Sequence, residues 1–264
     1  MKKEKEKAKS KMKIVFFGTP GLAAGILKNL ISGPYEIAAV VTQPDKERGR
    51  GRNVSFSPVK ETAVSAGIPV LQPEKAGEGS FLDRLESIGA DLHVVAAYAQ
   101  KLPDRLLEMA PLGCINVHPS LLPRYRGAAP LMAAILNGDK VSGVTIMKMA
   151  SRMDAGDIIL QREMPLDPDE TIPSLEKKVV DITADLLPLA IQGLADGTIT
   201  PVKQDDSLSS YVKQIKKESG LIDFTESAEA IERKTRAFDP WPGTFTYYEG
   251  RLFKVLTASV EPDD

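Results

Sequence analysis

Two residues carry the clearest chemical signal. Asn116 and His118 close the apolar run GCINVH (113–118), after which Pro119 and Ser120 bend the chain. If that run is a strand, side chains two apart leave it on one face, so the amide and the imidazole project together. An amide does not titrate, which makes Asn116 a constant hydrogen-bond donor. An imidazole, with an unperturbed pKa of about 6.5, can give or take a proton. His93, inside ADLHVVAAY, has apolar strand on both sides and reads instead as a structural histidine. A second cluster is KERGRGR (46–52), in which glycine alternates with Arg48, Arg50 and Arg52. Such a loop presents guanidinium forks suited to phosphates or base edges. The turn GTPG (18–21) invites a dinucleotide, but the G-x-G-x-x-G spacing is absent and Pro20 sits where close backbone approach is needed. It reads as a tight turn, and no nicotinamide is expected. With two histidines and the single cysteine Cys114, a four-ligand Cys/His zinc cluster cannot be assembled, and no metal is expected.

The elements that would position these residues follow from hydrophobic patterning. KIVFFG predicts a strand, LAAGILKNLI a helix, and EIAAVVT, IPVLQP, ADLHVVAAY, GCINVH and SGVTIMKM further short strands. Helical stretches such as PVKETAVSAG and LPDRLLEMA separate them. Continuous apolar strands between helices imply a mostly parallel sheet covered on both faces, an α/β doubly wound, Rossmann-like domain whose ligands gather beyond the carboxyl ends of the strands. DIILQREMPL reads as an antiparallel strand, and Thr171 with Pro173 starts a long helix towards Gly197 that Pro188 should kink. The polar stretch 198–220 reads as a linker, with a domain boundary near 200–208. SAEAIERKTRAF reads as an amphipathic helix, and TFTYYEGRLFKV as a hairpin turned at Glu249-Gly250 and lacking further strands to pair with.

The segment NVHPSLLPRYRGAAP (116–130) resembles the folate-dependent formyltransferase family, and its ending RYRGAAP resembles the branch that acts on charged initiator methionyl-tRNA. IVFFGTP, VVTQPDKERGRGRNVSFSPVK, GVTIMKMASRMDAGDIIL and WPGTFTYYEGRLFKV resemble it in order and spacing, over residues 13 to about 258. Ala99 and Met132 depart from the family's habit of glycine and a polar residue. The resemblance implies transfer of the formyl group of 10-formyltetrahydrofolate, a co-substrate, to the α-amino group of methionyl-tRNA. It assigns Asn116 to the oxyanion and His118 to proton transfer. Asp154, which by itself reads as a turn residue before Gly156, would orient His118 and raise its imidazolium fraction. Ser120, Leu121, Leu122 and Pro123 would form part of the folate site, backbone groups reading the pterin and leucines covering it. Arg50, supported by Arg48 and Arg52, would contact the tRNA acceptor stem. Residues 1–12 read from their charge as a disordered extension without a counterpart in the family; the resemblance implies a catalytic domain over 13–200 and, over 201–264, a linker with an incomplete, OB-like β-barrel.

Composition agrees with a folded, water-soluble chain: of 264 residues, 42% are hydrophobic and 27% charged. The first eleven residues hold six lysines and two glutamates, a local +4 that leaves −6 over the rest, so global charge does not announce a nucleic acid. No apolar run long enough for a membrane span or a signal peptide is present, and a cytoplasmic monomer is expected. Two other readings are open to the same residues. One is a formyltransferase acting on glycinamide ribonucleotide or a nucleotide-linked amino sugar. The other, a catalytically idle RNA-binding protein, would be favoured had one of Asn116, His118 and Asp154 been missing.

Overall fold

A computed structural model describes residues 11–48 and 53–261. Arg50, Arg52 and the first ten residues of the lysine-rich extension lie outside the described residues. The chain forms two compact units, residues 1–114 and 115–264.

The first unit runs β1 (Lys13–Gly18), α1 (Gly21–Ile31), β2 (Glu36–Val41), β3 (Lys46–Arg48), β4 (Asn53–Ser55), α2 (Pro58–Ser65), β5 (Val70–Leu71), α3 (Gly79–Ile88), β6 (Leu92–Ala96) and α4 (Asp104–Leu107). Its main strands lie in the order β5-β2-β1-β6, all parallel, as the alternation of apolar runs and helices predicts. β1 is paired on both sides, and Ile14 to Phe17 are wholly buried, which is why its sequence does not alternate. At the turn after β1, a Cβ on Gly18 would meet Ala23, the Ala96 carbonyl and Phe16, so this glycine permits close strand–helix packing. Ser57 caps α2 by accepting from the Lys60 N–H (3.1 Å), with Pro58 at the first helical position. Strands β3 and β4 form an antiparallel pair that flanks the central arginine-loop residues, with Arg48 opposite Asn53.

The second unit begins within β7 (Cys114–His118). It continues through β8 (Arg126–Gly127), α5 (Pro130–Leu136), β9 (Val141–Lys148), β10 (Ile158–Pro165), α6 (Ile172–Ala195), β11 (Tyr211–Val212), α7 (Ala228–Ala237), β12 (Thr244–Tyr248) and β13 (Arg251–Val255). β9 pairs antiparallel with both β7 and β10. A nine-residue connection from β9 to β10 is too short for the crossover that a parallel pair needs. α6 starts at a Thr171 cap reciprocated by Ser174, packs on β9 and β10, and runs unbroken through Pro188.

Two expectations are corrected here. The stretch read as a linker is instead bound into this unit: Val202 exchanges both backbone hydrogen bonds with Ile158 (2.8 Å each), and β11 adds in parallel to β8. Most of its polar side chains face water, but Gln204 is buried and satisfies groups inside the unit. The hairpin β12–β13 turns at Glu249 (φ 48°) and Gly250 (φ 75°), the left-handed pair of a two-residue turn. It does have a neighbour, since the Ile222 N–H donates to the Phe245 carbonyl (2.9 Å).

Candidate active site

The antiparallel register sets His118 opposite Thr145 and Asn116 opposite Met147. Asn116 is half-buried, and its side-chain amide makes no hydrogen bond among the described residues, which leaves its N–H groups available as donors. His118 is buried and its ring is held at one end: Nε2 lies 2.9 Å from the Tyr125 carbonyl. A carbonyl only accepts, so Nε2 carries the hydrogen, and in the neutral ring the lone pair belongs to Nδ1. Nδ1 faces Oδ2 of Asp154 across 3.8 Å, beyond hydrogen-bond distance but close enough for a strong Coulombic interaction.

Burial pushes the His118 pKa below its ordinary value; the Asp154 charge and then the Tyr125 carbonyl oppose that shift without reversing it. The Asp154 charge thus acts in the expected direction, towards imidazolium, and burial outweighs it. The lowered pKa favours the neutral ring, in which Nδ1 can accept a proton. His93 behaves as the structural histidine it resembled: buried, 3.3 Å from the Leu106 carbonyl through Nδ1, its pKa lowered to about 4 by burial.

Asp154 sits in the β9–β10 connection with a left-handed backbone (φ 49°), an uncommon conformation for a residue with a side chain. Two groups, the Gly127 N–H and the Gln204 amide, hold it there. Its Oδ2 accepts from the Gly127 N–H (2.8 Å), its carbonyl accepts from Gln204 Nε2 (2.9 Å), and the same Nε2 donates to the Gly156 carbonyl (2.7 Å). Gly156 tolerates no side chain, because a Cβ would run into the Lys148 carbonyl.

The segment Ser120–Pro123 is a tightly bonded turn. The Ser120 hydroxyl donates to the Arg124 carbonyl (2.7 Å) and the Ser120 carbonyl accepts from Thr145 Oγ1 (2.6 Å). The Leu122 N–H donates to that same Oγ1 (3.1 Å), and Gln161 Nε2 donates to the Leu122 carbonyl (2.8 Å). The Pro123 carbonyl accepts from the Ser210 N–H. Much of this backbone is thus engaged internally, giving a rigid turn in which Ser120 and Leu122 are buried and Leu121 and Pro123 half-buried.

His118, Asp154 and the 120–123 turn therefore gather in one unit, with Asn116 one strand step away. Of the three loop arginines only the backbone of Arg48 is described, and it lies in the other unit. Sequence reasoning missed Tyr125 and Gly127, although both lie in the segment that carried the resemblance, and missed Gln204, which is 50 residues from the loop it binds. No group of three or more His, Cys, Asp or Glu able to hold a metal occurs among the described residues. No helix among them is long and apolar enough to cross a membrane.

Comparison with known proteins places this arrangement. Residues 12–191 match the formyl transferase family and residues 214–264 match the formyl transferase C-terminal domain. The chain is 49% identical over 249 residues to the methionyl-tRNA formyltransferase of Lachnospira eligens, covering 94% of this chain and 79% of that one. Among solved structures, a sugar N-formyltransferase from Shewanella sp. FDAARGOS_354 superposes with a TM-score of 0.71 at 19% identity, over 95% of this chain and 99% of that chain. HypX from Aquifex aeolicus in complex with tetrahydrofolic acid superposes with a TM-score of 0.69 at 18% identity, over 92% of this chain and 37% of that chain. At those identities the two structures speak for the fold alone, the α/β class expected from the patterning. The family matches and the close relative carry the assignment: the chain belongs to the methionyl-tRNA formyltransferase family.

Proposed function

We propose that this chain transfers the formyl group of 10-formyltetrahydrofolate to the α-amino group of initiator methionyl-tRNA. The observation that carries this reading is the 49% identity to a methionyl-tRNA formyltransferase over nearly the whole chain. The site geometry supports a division of labour. The amine nitrogen attacks the formyl carbon, forming the new C–N bond and placing negative charge on the formyl oxygen. Asn116 donates to that oxyanion without changing its own protonation. His118 Nδ1 takes the proton that the amine sheds, and the imidazolium so formed is stabilised by the Asp154 charge. The folate C–N bond then breaks, the leaving nitrogen takes up a proton, and tetrahydrofolate departs. Ser120–Pro123 offers the folate a rigid wall, and Arg50, with Arg48 and Arg52, meets the acceptor stem of the tRNA.

The proposed domain division is 13–200 for catalysis and 201–264 for linker and C-terminal domain, with the linker beginning after the bound strap 202–212; family matches over 12–191 and 214–264 support it. Trypsin cleavage first at the exposed Lys213, Lys216 or Lys217 supports it; first cuts within 13–200 contradict it.

The functional assay mixes the protein with 10-formyltetrahydrofolate, charged initiator tRNA and glycinamide ribonucleotide in one reaction. Formylmethionyl-tRNA as the main product supports the reading. Formylglycinamide ribonucleotide alone transfers it to the small-molecule formyltransferases, and no formylated product overturns both.

A further inference from the structure

Further hydrogen bonds from the stretch once read as a linker connect it to the proposed proton-transfer pair. Arg126 is fully buried, and its Nε and Nη2 both donate to Gln204 Oε1 (3.0 and 2.7 Å). Its charge is met by Asp206 (2.8 Å) and its Nη1 by the Tyr211 hydroxyl (3.0 Å). A guanidinium only donates, so it fixes which end of the Gln204 amide is the oxygen and turns the NH2 group the other way. That NH2 group spends both of its hydrogens on the carbonyls of Asp154 and Gly156. One of those carbonyls belongs to the left-handed residue whose carboxylate faces His118, and the other to a glycine two residues on that close packing has left without a side chain.

We infer that Gln204 is a positioning residue for formyl transfer, which acts through the backbone of Asp154 to hold its carboxylate opposite His118 Nδ1. Arg126 sets the amide's orientation, and the strap 202–212 delivers both Gln204 and the Ser210 hydroxyl, which accepts from the N–H of Tyr125, the residue whose carbonyl holds the other end of the same imidazole. The inference rests on the roles of His118 and Asp154 given above. It extends them to a residue that touches neither substrate nor the reacting atoms. A donor amide is required at this position, because a carboxylate there would set a third oxygen against two carbonyls.

The test is a double-mutant cycle on the full chain, using Gln204→Met, which keeps the volume and removes the donors, with Asp154→Asn and the pair. Loss of Asp154 alignment by about 1 Å is expected to lower kcat on the order of 100-fold, with the KM for 10-formyltetrahydrofolate unchanged. In the Asp154→Asn background the same Gln204 change is expected to cost less than about 3-fold, because the two residues act as one unit. Gln204→Glu, which keeps the Arg126 contact but loses both donors, is expected to give the same pattern, and it serves if the methionine variant does not fold. Wild-type kcat in either folded variant, a rise in KM alone, or equal losses in both backgrounds would overturn the inference. A wild-type protein that transfers no formyl group at all would instead count against the proposed function.

Discussion

Replacing Asp154 by Asn is the most informative single perturbation, because it removes a charge while keeping the shape and an oxygen to accept the Gly127 N–H. The separation of 3.8 Å between Nδ1 and Oδ2 sets the size of the effect. Two unit charges at that distance interact by about 4 kcal/mol at an effective dielectric constant of about 20. That energy is absent while His118 is neutral and appears when it takes the amine's proton, so it acts on the transition state. Its loss corresponds to roughly a 1000-fold fall in the chemical step, read by single-turnover transfer with saturating 10-formyltetrahydrofolate and methionyl-tRNA. The pH dependence carries a second sign. Burial already lowers the His118 pKa and the Asp154 charge raises it, so removing that charge lowers it further. The acid limb of kcat/KM in the wild type should lie below about 6.5 and move to still lower pH in Asp154→Asn. A rate within about 3-fold of wild type, or an acid limb that moves upward, would refute the reasoning.

Three further outcomes are expected. His93 is neutral in the fold down to a pKa of about 4, while the unfolded chain takes a proton near about 6.5. The unfolded state therefore binds more protons between these values, and stability falls as the pH drops through that window, by about 3 kcal/mol from this residue. Urea unfolding at pH 7 and pH 4.5 measures the loss, and a His93→Gln variant with an undiminished loss would contradict the assignment. Gly127→Ala should destabilise the protein by more than about 2 kcal/mol, because φ is 111° and the new Cβ would meet the Val212 carbonyl. Unfolding midpoints check this, and an unchanged midpoint would contradict it. Arg50→Ala should raise the KM for charged tRNA without altering folate affinity by titration; equal loss of both would remove the arginine loop from the tRNA side of the site.

How far the sequence could be read depended on whether a residue's partners lie near it in the chain. Buried parallel strands announce themselves, as in IVFF, because burial of both faces removes every polar alternation. The Asn116–His118 pair was legible for the same reason: a spacing of two on a strand is decided locally. The net direction of the His118 pKa was not, since it depends on how completely the ring is buried, and burial outweighs the one charge that the motif supplies. Likewise the strap 202–212 looked like a linker because Gln204 and Asp206 are polar, and only the fold shows that a fully buried Arg126 awaits them. Ser120–Pro123 carries the same lesson. Its tight bonding comes from Thr145 and Gln161 on other strands, which nothing in SLLP itself foretells.

The central claim is that His118 moves the proton in formyl transfer to methionyl-tRNA. The most direct measurement is transfer of labelled formyl from 10-formyltetrahydrofolate to methionyl-tRNA by the wild type and by His118→Ala at pH 7, with circular dichroism confirming that both are folded. The wild type should yield formylmethionyl-tRNA, and the variant should be about 100- to 10,000-fold slower, the range for loss of general acid–base catalysis. A folded variant that turns over at the wild-type rate would contradict the account.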